Sequence, residues 1–173
     1  MTFNWTRFEK QVFIKAPQKV VFDAWAIPNE LIKWFIAEAN YTKNDQGKRA
    51  NTEQIGPGDH YHWRWHQDLA TTGIICDVIP NEQIRFTFGK QSPDSDVAVM
   101  VTVRVEELGD GYTKLSLTQE NMADSDYGRH YHLSCNLGWS FFMTNLKGLL
   151  EHGIDLRETH PDRVEAARAI SVS

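Results

Sequence analysis

The segment Gly138-Trp139-Ser140-Phe141-Phe142-Met143-Thr144-Asn145-Leu146-Lys147-Gly148-Leu149-Leu150 constrains the fold of this chain more than any other feature. Its bulky side chains recur at three- and four-residue spacing and so share one face of a helix. Upstream, between Tyr61 and Gln119, apolar and polar residues alternate, which is the period of strands. A late helix with so large an apolar face must bury it, and the partner available is a sheet built from the middle of the chain. The pattern predicts an α+β fold: a curved antiparallel sheet around a long C-terminal helix, with room for a ligand between them. The helix is expected from about His130 to His152, with Gly153 in the left-handed position that commonly ends a helix.

The rest of the chain supplies the sheet and its corners. Arg7 to Lys15 alternates and reads as a strand, after which Ala16-Pro17 switches the period. Proline suits a first helical turn, where its missing N–H would be unpaired anyway. Val20, Val21, Ala24 and Trp25 then follow at helical spacing, and Pro28 opens a second short helix carrying Leu31, Ile32, Trp34 and Phe35. Asn40 to Gly58 is polar and reads as loop, with turns at Lys43–Gly47 and Gly56–Asp59. Strands are expected over Tyr61–Trp65, Gly73–Ile79, Ile84–Phe88, Val97–Val105 and Thr113–Gln119. The short separators between them favour an antiparallel meander, since parallel crossovers need a dozen or more residues.

At 173 residues the chain is expected to form one domain over residues 7–157, followed by a tail, 158–173, that is weakly helical or frayed. A net charge of −5 argues against non-specific nucleic-acid binding, which relies on basic surface. Basic residues are spread singly, and no apolar run is long enough for a membrane span. Cys76 and Cys135 belong to no CxxC pair and no signal-peptide core opens the chain. They read as two buried free thiols in a reducing cytoplasm.

Strand alternation puts Tyr61, Trp63 and Trp65 on one face, as it does Ile84, Phe86 and Phe88. Val97, Val99, Val101, Val103 and Val105 form another such row, and Leu115, Leu117 and Gln119 a fourth. Burying each large side chain contributes roughly 1.5–3 kcal/mol, so these faces should turn toward Trp139, Phe142, Met143, Leu146 and Leu149. Most of them must be plain core. Trp63, Trp65, Trp139 and Met143 are expected to line a cavity that the curvature leaves incompletely filled, with Gln119 as its inward polar group. Arg85 and Arg104 are out of phase and belong outside.

Signatures of catalysis and metal binding are missing. His60, His62, Arg64 and His66 share the opposite face of the tryptophan strand, and His130 and His132 form a second pair. No cysteine or carboxylate completes a ligand set around them, and Arg64 would repel a cation, so a solvated outer face is expected and no metal. Ser134 and Ser140 sit in the helix without a histidine three or four residues on, and there is no G-x-S-x-G. Gly56-Pro57-Gly58 lacks the Lys-Ser/Thr of a phosphate loop. No catalytic residue and no cofactor is expected.

Four local patterns occur in order. They are Ile14-Lys15-Ala16-Pro17 with Val20 to Trp25, Leu31-Ile32-Lys33-Trp34-Phe35, Gly73-Ile74-Ile75 with Pro80-Asn81-Glu82, and Gly138-Trp139 with Leu149-Leu150. Together they resemble the START-like (SRPBCC) helix-grip superfamily, and most closely the branch related to the activator of the Hsp90 ATPase. The resemblance covers roughly residues 8 to 153 and implies a fold with a cavity between sheet and long helix. It does not imply an activity, since the superfamily hosts carriers, receptors and cyclases. The expected ligand-binding set is Trp34, Phe35, Tyr61, Trp63, Trp65, Phe86, Phe88, Val99, Val101, Val103, Leu117, Gln119, Trp139, Phe142, Met143 and Leu146.

The function expected is binding of a hydrophobic small molecule, lipid-like or aromatic. One alternative is an interaction module, co-chaperone-like or homodimeric, which would expose an unusually large apolar patch. The other is an enzyme of cyclase or hydrolase type, which would need a buried His, Asp or Glu with a shifted pKa in the same cavity.

Overall fold

Among the described residues eleven elements follow one another in the order the meander predicts, with two additions, β2 and β3. In a computed structural model that describes residues 3–44 and 47–165, they are β1 (Phe8–Ile14), α1 (Gln18–Ala26), α2 (Pro28–Leu31), β2 (Glu38–Lys43), β3 (Gly47–Lys48), β4 (His60–Arg64), β5 (Ala70–Ile79), β6 (Gln83–Lys90), β7 (Ala98–Gly109), β8 (Tyr112–Glu120) and α3 (Asp126–His152). The strands form one antiparallel sheet in the order β1-β8-β7-β6-β5-β4-β2-β3. The arrangement is a helix-grip fold, with α3 lying against the inner face and beside β1.

The inner face is set by the period-two rows. Val99, Val101, Val103 and Val105 of β7 are buried, as are Leu115, Leu117 and Gln119 of β8 and Ile84 and Phe86 of β6. Val97, expected to head the valine row, lies before β7 begins and is half exposed. Arg85 and Arg104 point outward, as the alternation predicts.

One segment read as loop holds two strands. Asn40–Gly58 contains most of β2 and all of β3, with Ala39 and Tyr41 buried between the outward Glu38, Asn40 and Thr42. Its pattern is weak because only those two inner positions are apolar, and Ala39 is small. The remainder of the segment is held by a buried ion pair. Arg49 Nη2 donates to Asp59 Oδ1 at 2.9 Å and Arg49 Nη1 to the Gln54 carbonyl at 2.8 Å, while Gly56 N donates to Asp59 Oδ2 at 2.8 Å.

β5 is the strand on which the sheet turns. Its pairing with β6 shifts register between Ile75 and Asp77, and that of β6 with β7 shifts between Thr87 and Lys90. Tyr61 lies opposite Gly73, and its hydroxyl reaches past β5 to donate to the Thr87 carbonyl at 2.5 Å. Only glycine leaves that route open, because a Cβ at position 73 would sit 2.5 Å from the Tyr61 ring. Tyr61 thus spans the part of the sheet where β5 and β6 separate, which lets the sheet bend round the helix.

α3 starts earlier than its apolar pattern does. Ser125 caps it, accepting from Gly128 N at 3.2 Å, and Gly153 ends it with φ 69°. Gly148 and Leu149 carbonyls accept from the residues at that end. The α2 corner is likewise shorter than expected: the helix stops at Leu31, and Trp34 and Phe35 sit in the turn that follows, both buried.

Two polar clamps hold α3 in place. Toward β1, Lys147 Nζ donates to the Phe13 carbonyl at 2.5 Å and Glu151 accepts from Lys15 N at 2.7 Å. Toward the α2 corner, the fully buried Asn145 donates to the Trp34 carbonyl at 2.8 Å and to Asp155 at 3.0 Å. Arg157 then donates to the carbonyls of Ile36 and Ile32 at 3.1 and 3.0 Å. The tail expected from Glu158 contains a helical turn over residues 161–165 with Val164 buried, whereas Ala167 and Ile170 lie outside the described residues.

His132 departs from expectation. It was grouped with solvated histidines, yet it is 1% exposed under the N-terminal segment. Phe3, Trp5 and Phe8 surround its ring at 5.0–5.5 Å, and its Nδ1 lies 3.0 Å from the Trp5 carbonyl. Cys76, expected in the core, faces outward on β5, and Cys135 is half-buried; both are free thiols.

Candidate functional site

Where α3 passes the ends of β4 and β6, the helix and the sheet part to leave a cleft of about 320 Å³. The sheet side contributes Trp65 from the β4–β5 connection, Thr71 from β5 and Phe88 from β6, with Phe35 from the α2 corner. The helix side contributes Tyr131, Ser134, Cys135, Gly138, Trp139 and Phe142. These helix positions recur at three and four residues, so they form one stripe beside the fully buried row.

Aromatic rings build the walls. Phe35 stacks on Trp139 with ring centres 5.2 Å apart and planes 25° apart. Trp65 and Phe142 meet Phe35 edge-on at 5.4 and 4.9 Å, and Phe88 lies 5.3 Å from Trp139. Offset and edge-on contacts of this kind favour a fixed arrangement beyond simple area burial. Phe35 is held there by the Asn145–Asp155–Arg157 clamp, which ties its neighbours Trp34 and Ile36 to α3.

Polar groups at the cleft are few and mostly engaged. Trp139 Nε1 donates to Gln119 Oε1 at 2.8 Å, and the Tyr131 hydroxyl donates to the Phe88 carbonyl at 2.8 Å. Burial pushes the Cys135 thiol up, opposed by hydrogen bonds to Gln119 and Tyr131. Burial also pushes the Tyr131 phenol well up. Both groups are therefore neutral at pH 7. The lining includes no His, Asp, Glu, Lys or Arg.

Of the expected site residues, the structure brings Phe35, Trp65, Phe88, Trp139 and Phe142 to this cleft. Trp34, Trp63, Phe86, Val99, Val101, Val103, Leu117, Gln119, Met143 and Leu146 are packed behind it in the core. Tyr61 is also buried, and touches a different depression. The lining residues Thr71, Tyr131, Ser134, Cys135 and Gly138 were not anticipated. Helical spacing from Trp139 and Phe142 points to 131, 135 and 138, a signal that the small side chains concealed at 135 and 138.

A broader depression of about 780 Å³ lies on the outer face of the sheet, among Asn40, Thr42, His60, His62, Thr72 and Lys90. His60 and His62 are exposed there, and Arg64 pairs with Glu38 and Asp68. Among the described residues no group of three or more His, Cys, Asp or Glu could hold a metal ion. No helix among them is long and apolar enough to cross a membrane.

A curved antiparallel sheet gripping a long C-terminal helix defines a START-like helix-grip protein. The chain belongs, more particularly, to the family described as activator of Hsp90 ATPase homolog 1-like protein, whose model matches residues 15–151. No curated protein matches it in sequence. Among solved structures, it is similar to a Staphylococcus saprophyticus protein at 22% identity and TM-score 0.67, covering 87% of this chain and 96% of that one. The Aha1 dimer from Colwellia psychrerythraea is similar at 20% identity and TM-score 0.65, covering 85% and 97%. An Hsp90 activator from Plasmodium falciparum is similar at 19% identity and TM-score 0.62, covering 84% and 96%. At these identities the likeness concerns the fold.

Proposed function

We propose that this protein binds a small, uncharged hydrophobic molecule, aromatic or lipid-like, in the cleft between α3 and the ends of β4 and β6. The observation that carries the reading is the cleft wall itself. Five aromatic residues, Phe35, Trp65, Phe88, Trp139 and Phe142, line it, while every titratable group at the wall is neutral at pH 7. A mostly apolar concavity with few polar groups is the usual form of a small-molecule site. A charged ligand would lose its hydration there without a partner. The same lining lacks the buried His, Asp or Glu with a shifted pKa that the hydrolase or cyclase alternative calls for.

The reading is tested by titrating the protein with a panel of neutral aromatic and long-chain compounds, following tryptophan fluorescence and native mass spectrometry. Wild type should bind members of the panel at micromolar concentrations. Ser134→Trp, which fills the cleft from an exposed helix position, should abolish that binding without unfolding the protein. Undiminished binding in that variant, or no binding by wild type, would sink the reading.

A second reading rests on a different surface. Leu133, Leu137 and Phe141 lie at successive four-residue steps on the outside of α3 and are 51%, 73% and 44% exposed. This apolar stripe favours contact with a second copy of the chain, in line with the Colwellia relative described as a dimer. Light scattering on wild type and Leu137→Glu decides it: a wild-type dimer that the charge dissociates supports the contact. A wild-type monomer removes it, leaving the co-chaperone role to be judged by whether the protein changes ATP turnover by Hsp90.

A further inference from the structure

Gly138 stands in the middle of a 27-residue helix, where glycine is among the least favourable residues. Helical glycines usually have a packing reason. Gly128 has one, since a Cβ there would collide with the Ala123 backbone. Gly138 has none: a Cβ built on it meets nothing within 4 Å. Yet it lies at the centre of the cleft's helix wall.

Its neighbours on that wall are small as well. Ser134 and Cys135 lie one turn before it, and the large Tyr131 and Phe142 bound the run at its two ends. The helix side of the cleft is therefore a shallow trough with exposed backbone at its centre. Trp65 and Phe88, both partly exposed, line the sheet side, and the buried Phe35–Trp139 stack forms the floor. A trough opposed by aromatic side chains makes a slot.

We infer that Gly138 is kept free of a side chain so that a flat ligand can lie against the α3 backbone, and that the slot selects fused-ring compounds over flexible alkyl chains. The inference rests on the binding reading above and adds the ligand's shape and the residue that sets it. A volume of about 320 Å³ is at the small end for ligand pockets, which suits a compact ring system. A planar ring also gains aromatic contact with the partly exposed Trp65, Phe88 and Phe142 that a flexible chain cannot match, and loses less conformational freedom on binding.

The test sets helix stability against binding. Gly138→Ala and Gly148→Ala each replace a glycine inside α3. At position 148 the new Cβ would meet the Ile154 carbonyl at an ordinary 3.5 Å, away from the cleft. Both variants should raise the unfolding temperature, by about 2–4 °C on helix propensity alone. Binding is measured with phenylnaphthylamine, a neutral fused-ring fluorophore, and with dodecanol as the alkyl-chain competitor.

Wild type and Gly148→Ala should bind phenylnaphthylamine alike and more tightly than dodecanol. Gly138→Ala should bind the fluorophore about tenfold more weakly or worse, the usual scale for one misplaced methyl group, and Gly138→Leu should not bind it. Equal binding by Gly138→Ala overturns the role of Gly138 and leaves the cleft reading intact. Dodecanol binding at least as tightly overturns the shape selection alone. If wild type binds neither probe, the inference and the cleft reading fall together.

Discussion

The indole N–H of Trp139 donates to the side-chain oxygen of Gln119 at 2.8 Å, joining the middle of α3 to β8 inside the core. Both residues are buried, Gln119 completely. The pair gives the helix a fixed axial position on the sheet, because apolar packing alone would tolerate sliding. Gln119 Nε2 also lies 3.4 Å from the Met122 sulfur, so the amide is engaged on both sides.

Gln119→Leu should therefore destabilise the protein by about 1–3 kcal/mol, the cost of leaving a buried donor unpaired. Trp139→Phe added to that variant removes the orphaned donor, so the pair of changes should cost less than the sum of the two. Urea unfolding of the four proteins in the cycle measures the coupling, and simple additivity would contradict it.

Gly73 should be intolerant of alanine although it lies in a strand where alanine is otherwise acceptable. The added methyl would sit 2.5 Å from the Tyr61 ring, which its hydrogen bond to Thr87 prevents from swinging away. A loss of about 1–3 kcal/mol is expected from such overpacking. Tyr61→Leu should absorb most of the added penalty in a double variant, as read by thermal unfolding in all combinations.

The clamp behind Phe35 makes part of the stability depend on acid pH. Burial works to raise the Asp155 carboxyl, but the Arg157 side chain and backbone N–H, with Asn145, hold it below its ordinary 3.8. A depressed carboxylate pKa means that the stabilisation is complete above about pH 4 and is lost as pH falls through the still lower folded value. The unfolding midpoint of wild type should fall more steeply than that of Asp155→Asn between pH 4 and pH 2. Parallel curves would show the clamp to be electrostatically idle.

The two thiols should separate kinetically. Burial raises both, but Cys76 is exposed and Cys135 is half-buried in the cleft wall. Maleimide should modify Cys76 first, and both rates should climb with pH as the thiolate forms. A ligand bound in the cleft should protect Cys135 only. Protection of Cys76, or of neither, would place the ligand elsewhere.

Much of this architecture was legible because it rests on periodicity, which is local. The valine row of β7, the Leu115–Leu117–Gln119 row of β8, the Gly153 cap and the long helix are each readable from spacing within one element. Gln119 was recognisable as an inward polar residue on phase alone. β2 was not, since two inner positions, one of them alanine, give a period too weak to stand out from a polar stretch. His132 was misplaced because its cover comes from Phe3 and Trp5, more than a hundred residues away in the chain, and no local pattern encodes that contact.

The sequence by itself determined which faces must be buried and in what order the elements follow, because the hydrophobic effect acts on every apolar side chain whatever its partner. Where the burial stops short was decided by the tertiary structure alone. The cleft exists because β5 and β6 separate beyond the Ile75–Phe86 pair, Tyr61 bridges the separating strands over Gly73, and the Asn145–Asp155–Arg157 clamp sets Phe35 against α3. Those are relations between distant residues, and the gap they leave is a difference between two fitted surfaces. Such a difference turns small residues like Ser134, Cys135 and Gly138 into a wall; spacing within the helix places them on that face, but it cannot announce a gap beside them.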